Sequence, residues 1–494
     1  MELVYLILSS LIFIFIFLHG LDLHRRRRLP PGPAGLPIIG NLLDLGPKPH
    51  ESLAKLSKKH GPLMTIRLGT ITTVVASTPD AARQILQLND EACSGRLVPD
   101  VINAVKNPDT AILWMPPNDT WRAMRKAMNM YLTNQKKLNS VSGLRENVAA
   151  EMLEHVRDSG RKNATVDIGK LAFAATLNQM SNTILSENVT SYDSESLEAF
   201  MAAVETAMEM LGKFNIADLF PVLRPLDPQK IRRRARGAFR LLEEVIEGFV
   251  SKRVKNRVLK VERDGDMLDS LLDYSRDNEA VFNIEHINTL LVDLFIAATD
   301  TVANTITWAM TELLLNPDML SRVRDELSQT IGEDGKIEEA KIIKLPYLDA
   351  VIKETMRLHL AAPLMAPHKT ETQVKLGNFV LPANTQIMVN AWAIARDPRY
   401  WENPLVFMPG RFLKSCKVDY KGQHFEYLPF ESGRRGCPGM PLAHRMVHLI
   451  LASFVHHFEW ELPYPKEDMD MNDIFGLTLL RATPLVATPL PLKC

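Results

Sequence analysis

The chain has 494 residues, of which 46% are hydrophobic, and its 58 basic side chains balance 58 acidic ones. That apolar share excludes an intrinsically disordered chain, and a formal charge of zero gives no whole-molecule attraction to nucleic acid. The length allows several domains or one large body, and four scattered cysteines (Cys93, Cys416, Cys437, Cys494) make no CxxC pair or disulfide framework, which favours a reducing compartment.

Leu3 to Leu18 is almost wholly apolar, and with Leu21 and Leu23 it approaches the roughly 20 residues that span a bilayer. Arg25 to Arg28 follow it, Glu2 precedes it, and no A-x-A site appears, so a cleaved signal is the weaker reading. The positive-inside rule predicts a single-pass anchor over residues 1–24 with the rest of the chain in the cytosol. Asn-x-Ser/Thr sequons at Asn118, Asn163 and Asn188 would then stay unglycosylated. Residues 25–37, with Leu29-Pro30-Pro31-Gly32-Pro33, read as a basic and Pro-rich linker that stops the anchor helix and acts as a stiff spacer. Residues 38–494 form the body.

In the body, Glu51–Lys59 reads as a helix, and Leu63–Leu68 and Thr72–Ala76 as strands. From Trp121 to about Thr330 the pattern is mostly helical, broken at Pro221, Pro225 and Pro228. The basic run in Ile231–Arg240 reads first as a solvated helix face and second as a contact for an anionic membrane surface. Asn283 to Asn316 is predicted to be one long helix, with Asn283 as N-cap and Pro317 as stop. At about 1.5 Å per residue it would cross the whole body and be buried for much of its length. Two polar side chains, Asp300 and Thr301, interrupt that apolar run. Either Thr301 bonds back to the preceding turn and Asp300 sits in a salt bridge, or the pair belongs to a site.

Phe430-Glu431-Ser432-Gly433-Arg434-Arg435-Gly436-Cys437-Pro438-Gly439 contains F-x-x-G-x-R-x-C-x-G, which chance would produce on the order of once in ten thousand such chains. Glycines at 433, 436 and 439 would let the backbone turn tightly and approach a flat ligand. Arg435 can neutralise a carboxylate. Backbone N–H groups and the start of a helix over Leu442–His457 would favour a thiolate at Cys437. A buried structural cysteine or a catalytic nucleophile are the other readings, and neither accounts for the flanking Gly, Arg and Phe.

With this loop the chain resembles the cytochrome P-450 family of haem-thiolate monooxygenases, and most of all its plant microsomal branch. The resemblance implies a mainly α fold with small β-sheets and a long central helix over haem. Cys437 would be the axial ligand of the iron of haem b, and Phe430 and Gly439 would line the same loop. Glu354-Thr355-Met356-Arg357 is similar to the family's E-x-x-R. It lies upstream of Phe407-Met408-Pro409-Gly410-Arg411-Phe412, similar to F-x-P-E-R-F, so Arg411 would give Glu354 a second cationic partner. Trp121 and Arg125, in a W-x-x-x-R match, would bind one haem propionate, and His368 would stand near the other. Ala297 to Val302 resembles the oxygen-activation motif; Thr301 would hydrogen-bond dioxygen and Asp300 would relay protons.

Six residues depart from the family pattern. Ala298 and Val302 replace a glycine and a hydroxyl residue. Gly410 replaces a glutamate, Leu360-Ala361 a proline pair, and Glu431 a glycine. The resemblance implies electrons from NADPH through a separate NADPH–cytochrome P-450 reductase, in the endoplasmic reticulum membrane, and no G-x-G-x-x-G follows a strand here. Leu223 to Gln229 is similar to the terpenoid-oxidising clade with geraniol hydroxylases and ferruginol synthase. A lipophilic terpenoid substrate is therefore expected, in a pocket drawn from Ile102–Val105, Phe295–Ala298, Ala362–Met365 and Gly476–Leu479. A haem-thiolate isomerase or dehydratase, and a haem-binding sensor, are the alternatives.

Overall fold

The structure is a computed structural model that describes residues 28–259, 265–332, 335–413 and 418–491. The anchor expected at 1–24 lies outside them. From Arg28 onward the Pro-rich stretch is tied to the body. Val380 N–H donates to Arg28 O at 2.8 Å and Thr65 N–H to Pro31 O at 2.9 Å. A Cβ at Gly32 would lie 1.8 Å from Thr65 O, so this approach requires glycine. Prolines lack an N–H but keep their carbonyls, and these accept from the neighbouring strand. The expected spacer is thus, from Arg28, a docked arm.

Helix α1 (Pro49–His60) begins with proline at its first turn and ends at Gly61. Strands β1 (Leu63–Leu68) and β2 (Ile71–Ala76) form an antiparallel hairpin with Leu63 opposite Ala76. With β3 (Gly95–Arg96), β4 (His368–Lys369) and β5 (Gln386–Val389) they make one sheet in the order β1-β2-β5-β4-β3. All four residues of β5 are buried. The short strands β3 and β4 bring Arg96 opposite His368, which matters for the site below.

The remainder is mainly helical: α2 (Asp119–Leu132), α3 (Ser142–Arg161), α4 (Ile168–Leu185), α5 (Glu195–Gly212), α6 (Ile231–Val258), α7 (Ile284–Leu315), α8 (Pro346–Leu358) and α9 (Met440–His457). The prolines at 221 and 225 lie in a 3₁₀ turn, Pro221–Leu226, between α5 and α6. The basic start of α6 is a solvated face laced with ion pairs, as Arg240–Glu244 at 2.8 Å shows. Its apolar side buries Ile231, Ala235, Phe239 and Leu242.

Helix α7 runs through the centre and packs on α4, α6, α8 and α9. Asn283 caps it with a reciprocal pair: its Oδ1 accepts from His286 N–H, and His286 Nδ1 accepts from Asn283 N–H. Among the described residues it is the one helix long and apolar enough to cross a membrane, but 78% of its most apolar window is buried inside the protein. A hairpin of β6 (Asp473–Phe475) and β7 (Leu479–Arg481) folds over its middle, where Asn304 Nδ2 donates to Leu479 O at 2.7 Å.

Candidate functional site

The cysteine loop joins Phe430 to the start of α9. Cys437 N–H donates to Phe430 O at 2.9 Å and Gly436 N–H to Gly433 O at 3.0 Å, which closes the loop on itself. Gly433 has φ +73, and a Cβ there would lie 1.9 Å from Leu86 O, so this glycine is obligatory. Gly436 and Gly439 have ordinary φ values of -51 and -79, so their conformations do not need glycine. The Cys437 side chain is open, although burial is the strongest influence on its thiol; it faces the protein interior. That burial holds the thiol above its ordinary range, against the N–H groups of Gly439 and Met440 and the charge of Arg125. A metal cation reverses such a preference, because a coordinating thiol is deprotonated.

Cationic groups surround the loop. Arg125 donates to Gly436 O at 2.8 Å and lies 5.5 Å from the Trp121 ring centre. Arg435 lies 4.8 Å from the same ring and donates to the carbonyls of Ser94 and Met115 at 2.8 and 2.7 Å. Burial lowers Arg435 to about 10. His368 spends both ring nitrogens, on Cys93 O at 2.8 Å and on Glu431 Oε1 at 2.6 Å. Arg96, missed by sequence reasoning, is 4% exposed; its Nε has no hydrogen-bond partner and its Nη2 only a 3.6 Å ion pair with Glu431. Nothing local to Ser94-Gly95-Arg96 marks this role, because the β3–β4 pairing creates it.

His368 and Arg96 thus pair with one carboxylate, Glu431, which also lies in the field of Arg435 and Arg125 and stands at φ +61 where the family pattern has glycine. Burial pushes its carboxyl up, but His368 and Arg96 outweigh that and leave it below its ordinary value. A thiol facing inward, beside buried cations in excess of carboxylates and with guanidinium N–H groups unpaired, fits a flat metal-bearing ligand that carries two acidic groups. The donor set therefore suits haem.

On α7, residues 297, 298 and 301 are accessible in the middle of an otherwise buried stretch, so this face walls an internal cavity. Thr301 Oγ1 donates to Ala297 O at 2.8 Å. Thr299, Thr305, Thr307 and Thr311 bond back one turn in the same way, so accessibility sets Thr301 apart. Among the described residues Asp300 has no salt bridge; Thr478 Oγ1 donates to its Oδ2 at 2.7 Å. Burial pushes Asp300 up to about 6, against that hydrogen bond and with help from Glu205. Two turns earlier Asp293 accepts from Ile112 N–H at 2.8 Å, and burial pushes it up to about 7. It ties the loop before α2 to α7. Its sequence signal was a lone acid on the accessible face of α7. A mainly apolar pocket is lined by Leu364, Met365, Gly476 and Leu477 together with Trp114 and Met388. It takes residues from two of the four expected pocket segments, and not from 102–105 or 295–298.

Glu354, fully buried, accepts from Arg357 through both oxygens at 2.8 Å and from Arg411 Nε at 3.0 Å. Met408 N–H adds a bond at 2.8 Å. Arg357 also donates to the carbonyls of Ala395 and Pro404, each at 2.8 Å. The network ties α8 to the segment that leads to the cysteine loop. Gly410 stands where the family pattern has glutamate, and Arg411 still reaches Glu354.

The family model for cytochrome P-450 matches residues 30–487. The chain is 40% identical to ferruginol synthase of Isodon rubescens over 469 residues, 94% of this chain and 95% of the relative. It is 41% identical to geraniol 8-hydroxylase of Swertia mussotii over 470 residues, 94% of each chain. It is 38% identical to sugiol synthase of Salvia miltiorrhiza over 487 residues, 98% of each. With the match spanning both the cysteine loop and the central helix, the chain belongs to the cytochrome P-450 family.

Proposed function

We propose that the protein is a terpenoid monooxygenase in which Cys437 holds haem b. The observation that carries this is the inward-facing Cys437 thiol, approached by two backbone N–H groups and flanked by Arg125. When bound, haem supplies the iron at which dioxygen is activated, with thiolate donation favouring O–O cleavage. In balance, R–H, dioxygen, two protons and two electrons give R–OH and water. The electrons come from NADPH through a separate reductase.

The chain's own work is to bind, exclude water and move protons. Arg125, Arg435 and Arg96 offer charge to the two propionates, and His368 stands beside them with both ring nitrogens engaged. Trp121 packs against Arg125 and Arg435 and holds them in place. Asp300, with a carboxyl at about 6, can take and release a proton near neutral pH. Thr478 fixes its Oδ2, leaving Oδ1 to exchange the proton. Thr301 donates to Ala297 O and keeps its oxygen lone pairs free to receive one. The names of the relatives support a terpenoid substrate, and the apolar pocket suits a hydrocarbon skeleton.

Membrane attachment has support apart from the apolar run Leu3 to Leu18. Ile38 and Leu43 are 70% and 75% exposed, and Val222 and Leu226 are 83% and 69% exposed. Both pairs flank the β1–β2 turn, since Gly69 N–H donates to Ile39 O and Thr70 N–H to Leu219 O. One apolar patch on that side is suited to the endoplasmic reticulum bilayer.

The test is the reduced carbon-monoxide difference spectrum of the purified protein. The Soret band of a thiolate-ligated haem is expected, and Cys437→Ala should abolish it. Retention of the band in that variant overturns the assignment. Product formation should also require the reductase and NADPH, which separates this reading from an isomerase.

A further inference from the structure

We propose that Asp349, His444 and His448 form a second metal site, for a zinc ion, that staples α8 to α9. Among the described residues these three are the one set of His, Cys and acidic side chains whose ligand atoms lie within 4.8 Å of one another. His444 and His448 are four residues apart on α9 and share a face; Asp349 comes from the first turn of α8. His444 Nε2 is 3.4 Å and His448 Nε2 3.6 Å from Asp349 Oδ1. A tetrahedral zinc with bonds of about 2.0–2.1 Å has ligand-to-ligand edges of about 3.3–3.4 Å. The protein thus already holds two edges of that tetrahedron to within a few tenths of an ångström.

The protonation pattern carries the argument further. His448 Nδ1 lies 2.6 Å from His444 O, an approach that requires the ring proton on Nδ1. Its Nε2 then presents a bare lone pair. The side chain is wholly buried, Nε2 has no hydrogen-bond partner, and it points at a carboxylate oxygen. A neutral imidazole nitrogen and a carboxylate oxygen facing each other in the interior repel unless a proton or a metal cation lies between them. A ring N–H donating to a carbonyl is also the usual way a metal-binding imidazole is oriented.

Two imidazoles and one carboxylate favour zinc over calcium or magnesium, which prefer oxygen alone. The Asp349 and His444 side chains keep 25% and 22% exposure, so water can reach the fourth position. Lys353 Nζ sits on the other oxygen, Asp349 Oδ2, at 2.9 Å, and Asp419 lies 3.9 Å from the same ammonium as an alternative partner. The staple would join the helix of Glu354 and Arg357 to the helix that follows Cys437, without touching either group.

Untagged full-length holoenzyme, stripped with chelator and dialysed against zinc sulfate, should retain about one zinc per haem iron by elemental mass spectrometry. Zinc should also raise its melting temperature. His444→Ala and His448→Gln should each raise the zinc dissociation constant at least roughly tenfold, while iron content and the carbon-monoxide spectrum stay as in the parent. His444 is partly exposed, so its variant remains informative if His448→Gln fails to fold. Parent enzyme with no zinc above the dialysis buffer overturns the proposal, as does zinc retained equally by parent and His444→Ala.

Discussion

Asp300 is useful because burial outweighs an opposing hydrogen bond only in part. Burial raises its carboxyl, and the hydrogen bond from Thr478 stops the rise at about 6. Thr478→Val removes the donor that steadies the charged form. The Asp300 titration should move up by roughly one unit, the size of one lost hydrogen bond. The limb of product formed per NADPH that follows Asp300 should move by the same amount, and an unmoved profile would sever Asp300 from proton delivery. The raised value also costs stability. The folded state binds the proton more tightly than the unfolded chain, so this group's contribution falls as pH rises from about 4 through about 6. Glu431 is a second conflict, left-handed at φ +61 and seated on His368 and Arg96. Glu431→Gly should relieve about 1 kcal/mol of backbone strain and release both cations to a bound propionate. Haem transfer to apomyoglobin should slow, and faster transfer would show that Glu431 supports the haem instead.

At the scale of elements, the long central helix depends on its first turn. Asn283 and His286 satisfy each other's backbone N–H groups there. Asn283→Ala should cost about 1 kcal/mol and speed amide exchange at residues 285–287, with the middle of the helix unaffected. The helix was legible because Asn283, a proline-free run and Pro317 coincide. The strand Leu63–Leu68, and Ile71–Ala76 from Thr72 onward, were legible because residues that favour strands, Thr, Val and Ile, concentrate there. The strands Gly95–Arg96 and His368–Lys369 were not, since two residues carry no period. Yet they place Arg96 and His368 side by side.

For the whole molecule, the exposed apolar residues near Ile38 and Val222 come from distant parts of the chain, and the segments that carry them are both bonded to the β1–β2 turn, through Ile39 and Leu219. With residues 1–27 removed, the double variant Val222→Lys and Leu226→Lys should bind vesicles more weakly, by roughly tenfold or more, because it exchanges apolar side chains for charge at the bilayer edge. Equal flotation of both proteins would place the membrane contact elsewhere. By itself the sequence determined the cysteine loop, the central helix, the Glu354–Arg357 pair and the family they resemble, because each is encoded within a short span whose spacing the backbone must obey. The tertiary structure decided which groups face them: Thr478 on Asp300, Glu431 on His368 and Arg96, Asp349 on His444 and His448. Those partners lie from 63 residues apart, for Glu431 and His368, to 335 apart, for Glu431 and Arg96; such pairings are fixed by packing between elements, which local periodicity does not record.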